Sequence, residues 1–390
     1  MTLLFKYLKG DKVVWMVAII LSAFSLLSVY SSTTSLAFKY EGGGMFHFLF
    51  KHGLMIFSGF LIMYYVHKTQ YKYYSRISQM AIWLAAILLV VTLLLGENLN
   101  DASRWLKIPI INQNFQTSDF AKVTLIVFLS RILSQKQDIL NSFSKAVIPL
   151  LIPTGIICVL ILPANFSTAA ILFVTCLVLM FLGGVAIKHL FGIVGTGVAA
   201  LLLLFLISAA VPELLPRINT WKSRIVNFNS GDSDSNYQAE HAMMAIESGG
   251  LLPNGPGNGN SRNYLPHPYS DMIYAFIIEE YGAIIGGVGV LLLYLILLFR
   301  AIKIASKCEK RFGSLVVLGL SFMLVFQAFI NMGVAVNLFP VTGQPLPMVS
   351  MGGTSVWFTS LAFGIILSVS REVYSEEVAT VSNEKEHAVA

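Results

Sequence analysis

Residues 271–299 read DMIYAFIIEEYGAIIGGVGVLLLYLILLF and stop at Arg300. Asp271, Glu279 and Glu280 are the only charged side chains in the run, and all three lie near its start. A helix needs about 20 apolar residues to cross the hydrocarbon of a bilayer. This run is long enough to do so, and too long for a strand. Working outward, comparable apolar runs lie at roughly 13–32, 45–66, 77–96, 118–134, 146–164, 167–187, 190–211, 314–335 and 351–370. The 390-residue chain is 56% hydrophobic and 12% charged, with a mean hydropathy of +0.74. Soluble domains carry about 25% charged residues. Composition therefore excludes a water-soluble enzyme and a disordered chain, and three cysteines exclude a disulfide scaffold. The expected fold class is an all-α polytopic membrane protein of about ten transmembrane helices.

The basic residues choose the orientation. Lys6, Lys9 and Lys12, then Lys68, Lys72 and Arg76, then Arg131, Lys136 and Lys145 fall at alternate ends of the spans, as do Lys303, Lys307, Lys310 and Arg311. An excess of Lys and Arg marks cytoplasmic loops, so both termini are expected inside. The net charge of +6 follows from this bias and calls for no nucleic-acid partner. Residues 1–370 read as a single ten-helix membrane domain, with 212–270 as a large external loop between helices 7 and 8. The polar segment 371–390 reads as a disordered cytoplasmic tail.

Unusual sequence gathers at the outer ends, in loops 97–117, 212–270 and 336–350. Ionisable residues near hydrocarbon are costly and point to function. Arg104 stands beside Trp105, and Asp119 and Lys122 are three residues apart, close enough on a helix to pair locally. Either they neutralise each other, or Arg104 and Lys122 grip a phosphate, the one as a planar fork and the other as a point charge. Asp271 opens the eighth span. On a continuous helix Glu279 would lie about 12 Å deeper and about 80° round, an offset that allows both carboxylates to face one cavity, while Glu280 would pack elsewhere against a donor. Such carboxylates suit a general base or a proton or cation path. Lys51 and His52 stay open between outward snorkelling, a satisfied core residue and a functional role. The glycines at 255, 257 and 259 follow no strand and precede no Gly-Lys-Ser, so no nucleotide loop is assigned. Segment 236–241 is compatible with a short interfacial helix.

Three long segments carry a resemblance. ASRW (102–105) with FQTSDFAK (115–122), AIESGGLLPNGPGNGNSRNYLPHPYSDMIYAFIIEEYG (245–282), and NMGVAVNLFPVTGQPLPMVSMGGTS (331–355) resemble the signature segments of the SEDS family, the FtsW and RodA peptidoglycan polymerases. The wording HPYSD and PVTGQPLPMVSMGG is more similar to the division branch, FtsW, than to the elongation branch. The resemblance implies an inverting glycosyltransferase that polymerises lipid II at the outer face of the bacterial plasma membrane, at the division septum. Implied partners are a class B penicillin-binding protein transpeptidase and other division proteins.

The same resemblance makes Asp271 the catalytic base and places Arg104 and Lys122 on the substrate pyrophosphate, with a divalent cation such as Mg or Mn as a candidate cofactor. Gln116, Glu279 and Ser350 complete the substrate-binding candidates. Two positions depart from the family wording: Asn165 and His267 stand where a carboxylate is usual. Two rival readings remain, a flippase or transporter for the same lipid-linked precursor and a non-catalytic division scaffold.

Overall fold

The computed structural model describes residues 8–39, 45–99, 102–108, 113–210, 221–222, 224, 226, 228, 233–259, 261 and 270–389. The first three helices are α1 (Lys12–Lys39), α2 (Met45–Lys68) and α3 (Tyr71–Leu95). Three short strands follow: β1 (Glu97–Leu99), β2 (Ala102–Ile108) and β3 (Gln113–Gln116). Then come α4 (Thr117–Gln135), α5 (Ile148–Ile161) behind a π turn at Phe143–Val147, α6 (Phe166–Leu182) and α7 (Ile187–Ala210). Beyond these lie α8 (Ser233–Gly249), α9 (Ile273–Tyr281), a π segment (Gly282–Gly289), α10 (Val290–Lys307), α11 (Arg311–Ala335) and α12 (Ser355–Val389).

Each of the ten expected spans coincides with a helix, with α9, the π segment and α10 together forming the eighth. Eight of these are long and apolar enough to cross a membrane by length and composition. The other two are explicable: α6 is apolar but only 17 residues long, and α4 carries Asp119, Lys122 and Arg131. Outer helix faces are apolar and exposed, as Trp83 at 70% and Leu94 at 77% show, which suits hydrocarbon as the surrounding solvent. The core runs along α11 and α12, whose span windows are 67% and 72% buried, whereas that of α7 is 6% buried and peripheral. Helices α2 and α12 meet at small residues. A Cβ on Gly59 would stand 2.6 Å from Ser360 Oγ, and one on Gly364 2.7 Å from Val66 Cγ1, so glycine at both sites sets how closely the helices approach.

Two features go beyond the sequence reading. The loop at 97–117 is not irregular: β1, β2 and β3 form an antiparallel sheet in that order. Only Leu106-Lys107-Ile108 alternate in polarity in β2, too short a run to signal a strand. Helix α12 also continues beyond its span through 371–389. That stretch contains no Gly or Pro to stop a helix. At the end of the bundle away from the sheet, Asp11 Oδ1 caps α1 through Val13 N at 2.8 Å. Its Oδ2 accepts from Arg300 Nε at 2.8 Å and from Tyr374 Oη at 3.1 Å, tying together the inner ends of α1, α10 and α12.

Candidate active site

The outer loops converge because each supplies hydrogen bonds that another lacks. The stretch between α11 and α12 enters the bundle as irregular backbone, and buried carbonyls there need donors. Gln327 Nε2 donates to Pro345 O at 2.8 Å, Asn331 Nδ2 to Gln344 O at 2.7 Å, Tyr294 Oη to Pro347 O at 2.5 Å, and Ser25 Oγ to Val349 O at 2.6 Å. The sheet is held to this loop by Thr354, whose hydroxyl accepts from Gln116 N at 3.0 Å and donates to Asn114 O at 3.3 Å.

A cavity of about 330 Å³ opens among these elements, lined by Lys51 and His52 of α2, Trp105 and Gln116 of the sheet, Asn165, Ser270, Gly343 and Pro345. Its size falls within the range of small-ligand sites. Asp271 is half-buried beside Gly343, which lines the cavity: Oδ2 lies 3.8 Å from the point a Cβ on Gly343 would occupy. Its carbonyl accepts from Asn331 Nδ2 at 2.7 Å. One amide thus fixes both the turn at Asp271 and the loop at Gln344. Among the described residues the cation on the cavity wall is Lys51. His52, 2% exposed, places Nε2 2.7 Å from Ser25 Oγ. Since that hydroxyl donates to Val349, the imidazole is the donor of the pair, and His52 is a satisfied packing residue.

The other expected site residues divide. Gln116 lines the cavity, with Nε2 donating to Ser118 Oγ at 3.2 Å. Arg104 lies in β2 where the register passes from Asn98↔Ser103 to Glu97↔Trp105, which makes it the extra residue of a bulge. Bulges re-aim the chain beside active sites. The Arg104 side chain and His267 lie outside the described residues. Lys122 is 5% exposed, ion-paired to Asp119 at 2.8 Å, and donates to Gln327 Oε1 at 2.9 Å. It braces the 336–350 loop through Gln327 and does not line the cavity. Ser350 is likewise internal: its hydroxyl accepts from Leu346 N at 2.8 Å and donates to Ser270 O at 2.6 Å.

Glu279 departs from expectation. Asp271 sits in a turn before α9, so a helical offset from it does not apply. The chain 248–261 folds over the helix and covers Glu279, which accepts from Ser261 N at 3.1 Å and Ser248 Oγ at 3.3 Å. Glu279 is not among the residues that line the cavity beside Gly343. Glu280 packs against donors, accepting from Ser31 Oγ and from Gly257 N. Asn331 and Gln327 were missed as organisers of the site. Two amides four residues apart on one face of an apolar span are the signal that would find them. Among the described residues no group of three or more His, Cys, Asp or Glu side chains is arranged to hold a metal ion.

The model of cell cycle proteins named for FtsW, RodA and SpoVE matches residues 11–375. Stage V sporulation protein E of Bacillus subtilis is 31% identical over 374 residues, covering 93% of this chain and 97% of that protein. A probable peptidoglycan glycosyltransferase FtsW of Geobacter sulfurreducens is 28% identical, covering 92% of this chain and 95% of the relative. A solved chain from a peptidoglycan synthase complex superposes with a TM-score of 0.73 at 23% identity, covering 94% of this chain and 98% of its own, and so shares the fold. The chain belongs to the FtsW/RodA/SpoVE family of cell cycle proteins.

Proposed function

We propose that this protein is a peptidoglycan glycosyltransferase that polymerises lipid II into glycan strands at the outer face of the plasma membrane. The observation that carries the reading is the Asp271 carboxylate beside Gly343, a residue of the cavity whose wall bears Lys51. Asp271 takes the proton of the acceptor sugar hydroxyl as that oxygen bonds to the anomeric carbon of the donor. The bond from that carbon to the pyrophosphate oxygen breaks on the opposite face, the electron pair leaves with the polyprenyl pyrophosphate, and the configuration inverts. Positive charge at Lys51 favours the departing anion. The amides of Gln116 and Asn165 supply donors for sugar or phosphate oxygens. No nucleotide is needed, because the pyrophosphate already activates the sugar.

Relatives that carry the name FtsW and the motif wording support a role in division, at the septum, beside a class B penicillin-binding protein transpeptidase and other division proteins. The test is polymerisation of purified lipid II by the reconstituted protein. Asp271→Ala is expected to keep the fold and lose about 10²- to 10⁴-fold in rate, the usual contribution of a positioned base. Strand synthesis at the wild-type rate by that variant would overturn the assignment. Wild-type protein that moves labelled precursor across vesicles without lengthening strands would be a transporter.

A further inference from the structure

We infer that the N-termini of α4 and α6 converge on a subsite for a lipid-linked pyrophosphate, with Asn165 donating to it; this rests on the polymerase reading for the identity of the ligand. A narrow cleft adjoins the cavity, and Gln116 and Asn165 line both. These residues are the N-caps of α4, 19 residues long, and of α6, 17 residues long. Thr117 and Ser118, the first residues of α4, continue the polar end of the cleft. A helix leaves its first N–H groups without partners of its own and carries partial positive charge there, so two such ends together favour an anion. The Gln116 side chain makes no capping hydrogen bond to α4. Asp119 in the first turn is paired with Lys122 at 2.8 Å, and among the described residues no carboxylate lines the cleft. Lys51 adds a full positive charge on the wall of the adjoining cavity.

The Asn165 side chain points to a ligand independently of the helix ends. The residue is 8% exposed, and its Oδ1 accepts from Thr168 N at 3.2 Å, which caps α6. That bond fixes the amide, because only its oxygen can accept from a backbone N–H. Nδ2 is then the end left for the cavity, and among the described residues it meets no acceptor. A donor so enclosed is costly to leave unpaired, and an anion would satisfy it. The opposite end of the cleft says what the anion carries. Leu89 and Leu93 of α3 line it there with Leu160 and Ile161 of α5. Their helix neighbours Leu94 and Val159 are exposed on the apolar outer surface. A pyrophosphate bearing an apolar chain matches both ends, with the charge on the helix termini and the chain toward the bilayer. The leaving group of the proposed transfer is such a molecule.

The experiment measures binding of farnesyl pyrophosphate, inorganic pyrophosphate and farnesol to the purified protein in nanodiscs, with the thermal midpoint, for wild type, Asn165→Ser and Asn165→Asp. Serine and aspartate cap helices about as well as asparagine, so both variants should keep the wild-type midpoint. Asn165→Ser withdraws the amide donor and is expected to weaken farnesyl pyrophosphate binding about tenfold, the scale of one hydrogen bond to a charged group. Asn165→Asp also adds a like charge and should weaken it about 10²-fold. Inorganic pyrophosphate should bind wild type more weakly than farnesyl pyrophosphate does and show the same losses, whereas farnesol should bind all three proteins alike. Wild-type affinity for farnesyl pyrophosphate in both variants would overturn the subsite. So would equal weakening in both with lowered midpoints, which would make Asn165 a helix cap alone. Equal affinity of wild type for the two anions would make this a site for free phosphate and overturn the lipid assignment. Binding needs no turnover, so a protein that shows these losses and never lengthens strands keeps the subsite and loses the polymerase reading.

Discussion

The ammonium of Lys122 stands 2.8 Å from Asp119 and 2.9 Å from Gln327, with both ionic side chains almost wholly buried. Among the described residues no hydrogen-bond donor is aligned on either Asp119 oxygen, so the ion pair is what neutralises that carboxylate. Removing one partner of a buried pair strands the other charge, which costs about 3–5 kcal/mol, whereas removing both together is close to neutral. Lys122→Met should therefore lower the thermal midpoint of the detergent-solubilised protein sharply, and Asp119→Asn with Lys122→Met should recover most of it. The recovered double variant should still polymerise about tenfold more slowly, because Gln327 has lost a donor and grips Pro345 less firmly. Wild-type stability in Lys122→Met alone would refute the pairing. The three-residue spacing made the pair legible in the sequence. Its third member, Gln327, is 205 residues away, and no local pattern points to it.

At the scale of elements, the helices were readable because lipid imposes one demand, apolar side chains over a fixed length. The sheet was harder. Its strands are only three to seven residues long, and they are held from outside by Thr354, which is 238 residues from Gln116. The same distance in sequence hid the cavity, whose walls come from α2, the sheet, the turn at Ser270 and the loop at Gly343. The break at Gly282, where φ is 74°, was hidden as well, since it is one of four glycines in an apolar run, where each by itself reads as tolerated. Thr354→Val keeps the shape but strips the hydroxyl that Gln116 N and Asn114 O share. Each buried backbone group left unpaired costs about 1–3 kcal/mol, so β3 should loosen and carry Gln116 off the cavity wall. The expected result is a KM for lipid II raised severalfold by Thr354→Val and restored by Thr354→Ser. Equal KM values in the two variants would show that the sheet does not shape the site.

At the scale of the whole molecule, the two ends of the bundle are built differently. One end is closed by the Asp11–Arg300–Tyr374 cluster joining α1, α10 and α12. The other carries the sheet, the 336–350 loop and the cavity. The positive-inside bias assigns the closed end to the cytoplasm, and a polymerase that draws on precursor in the outer leaflet needs the open end outside. The two arguments are independent, one from charge and the other from shape. They meet in a labelling experiment. Cys308, which is in no disulfide, lies between α10 and α11 at the closed end, and exposed Lys107 lies in β2 at the open end. A membrane-impermeant maleimide should modify a Lys107→Cys variant in intact spheroplasts and reach Cys308 only after the membrane is opened. Labelling of Cys308 first would turn the cavity toward the cytoplasm. Asp271 would then face the wrong leaflet for an extracellular acceptor, however well its geometry suits a base.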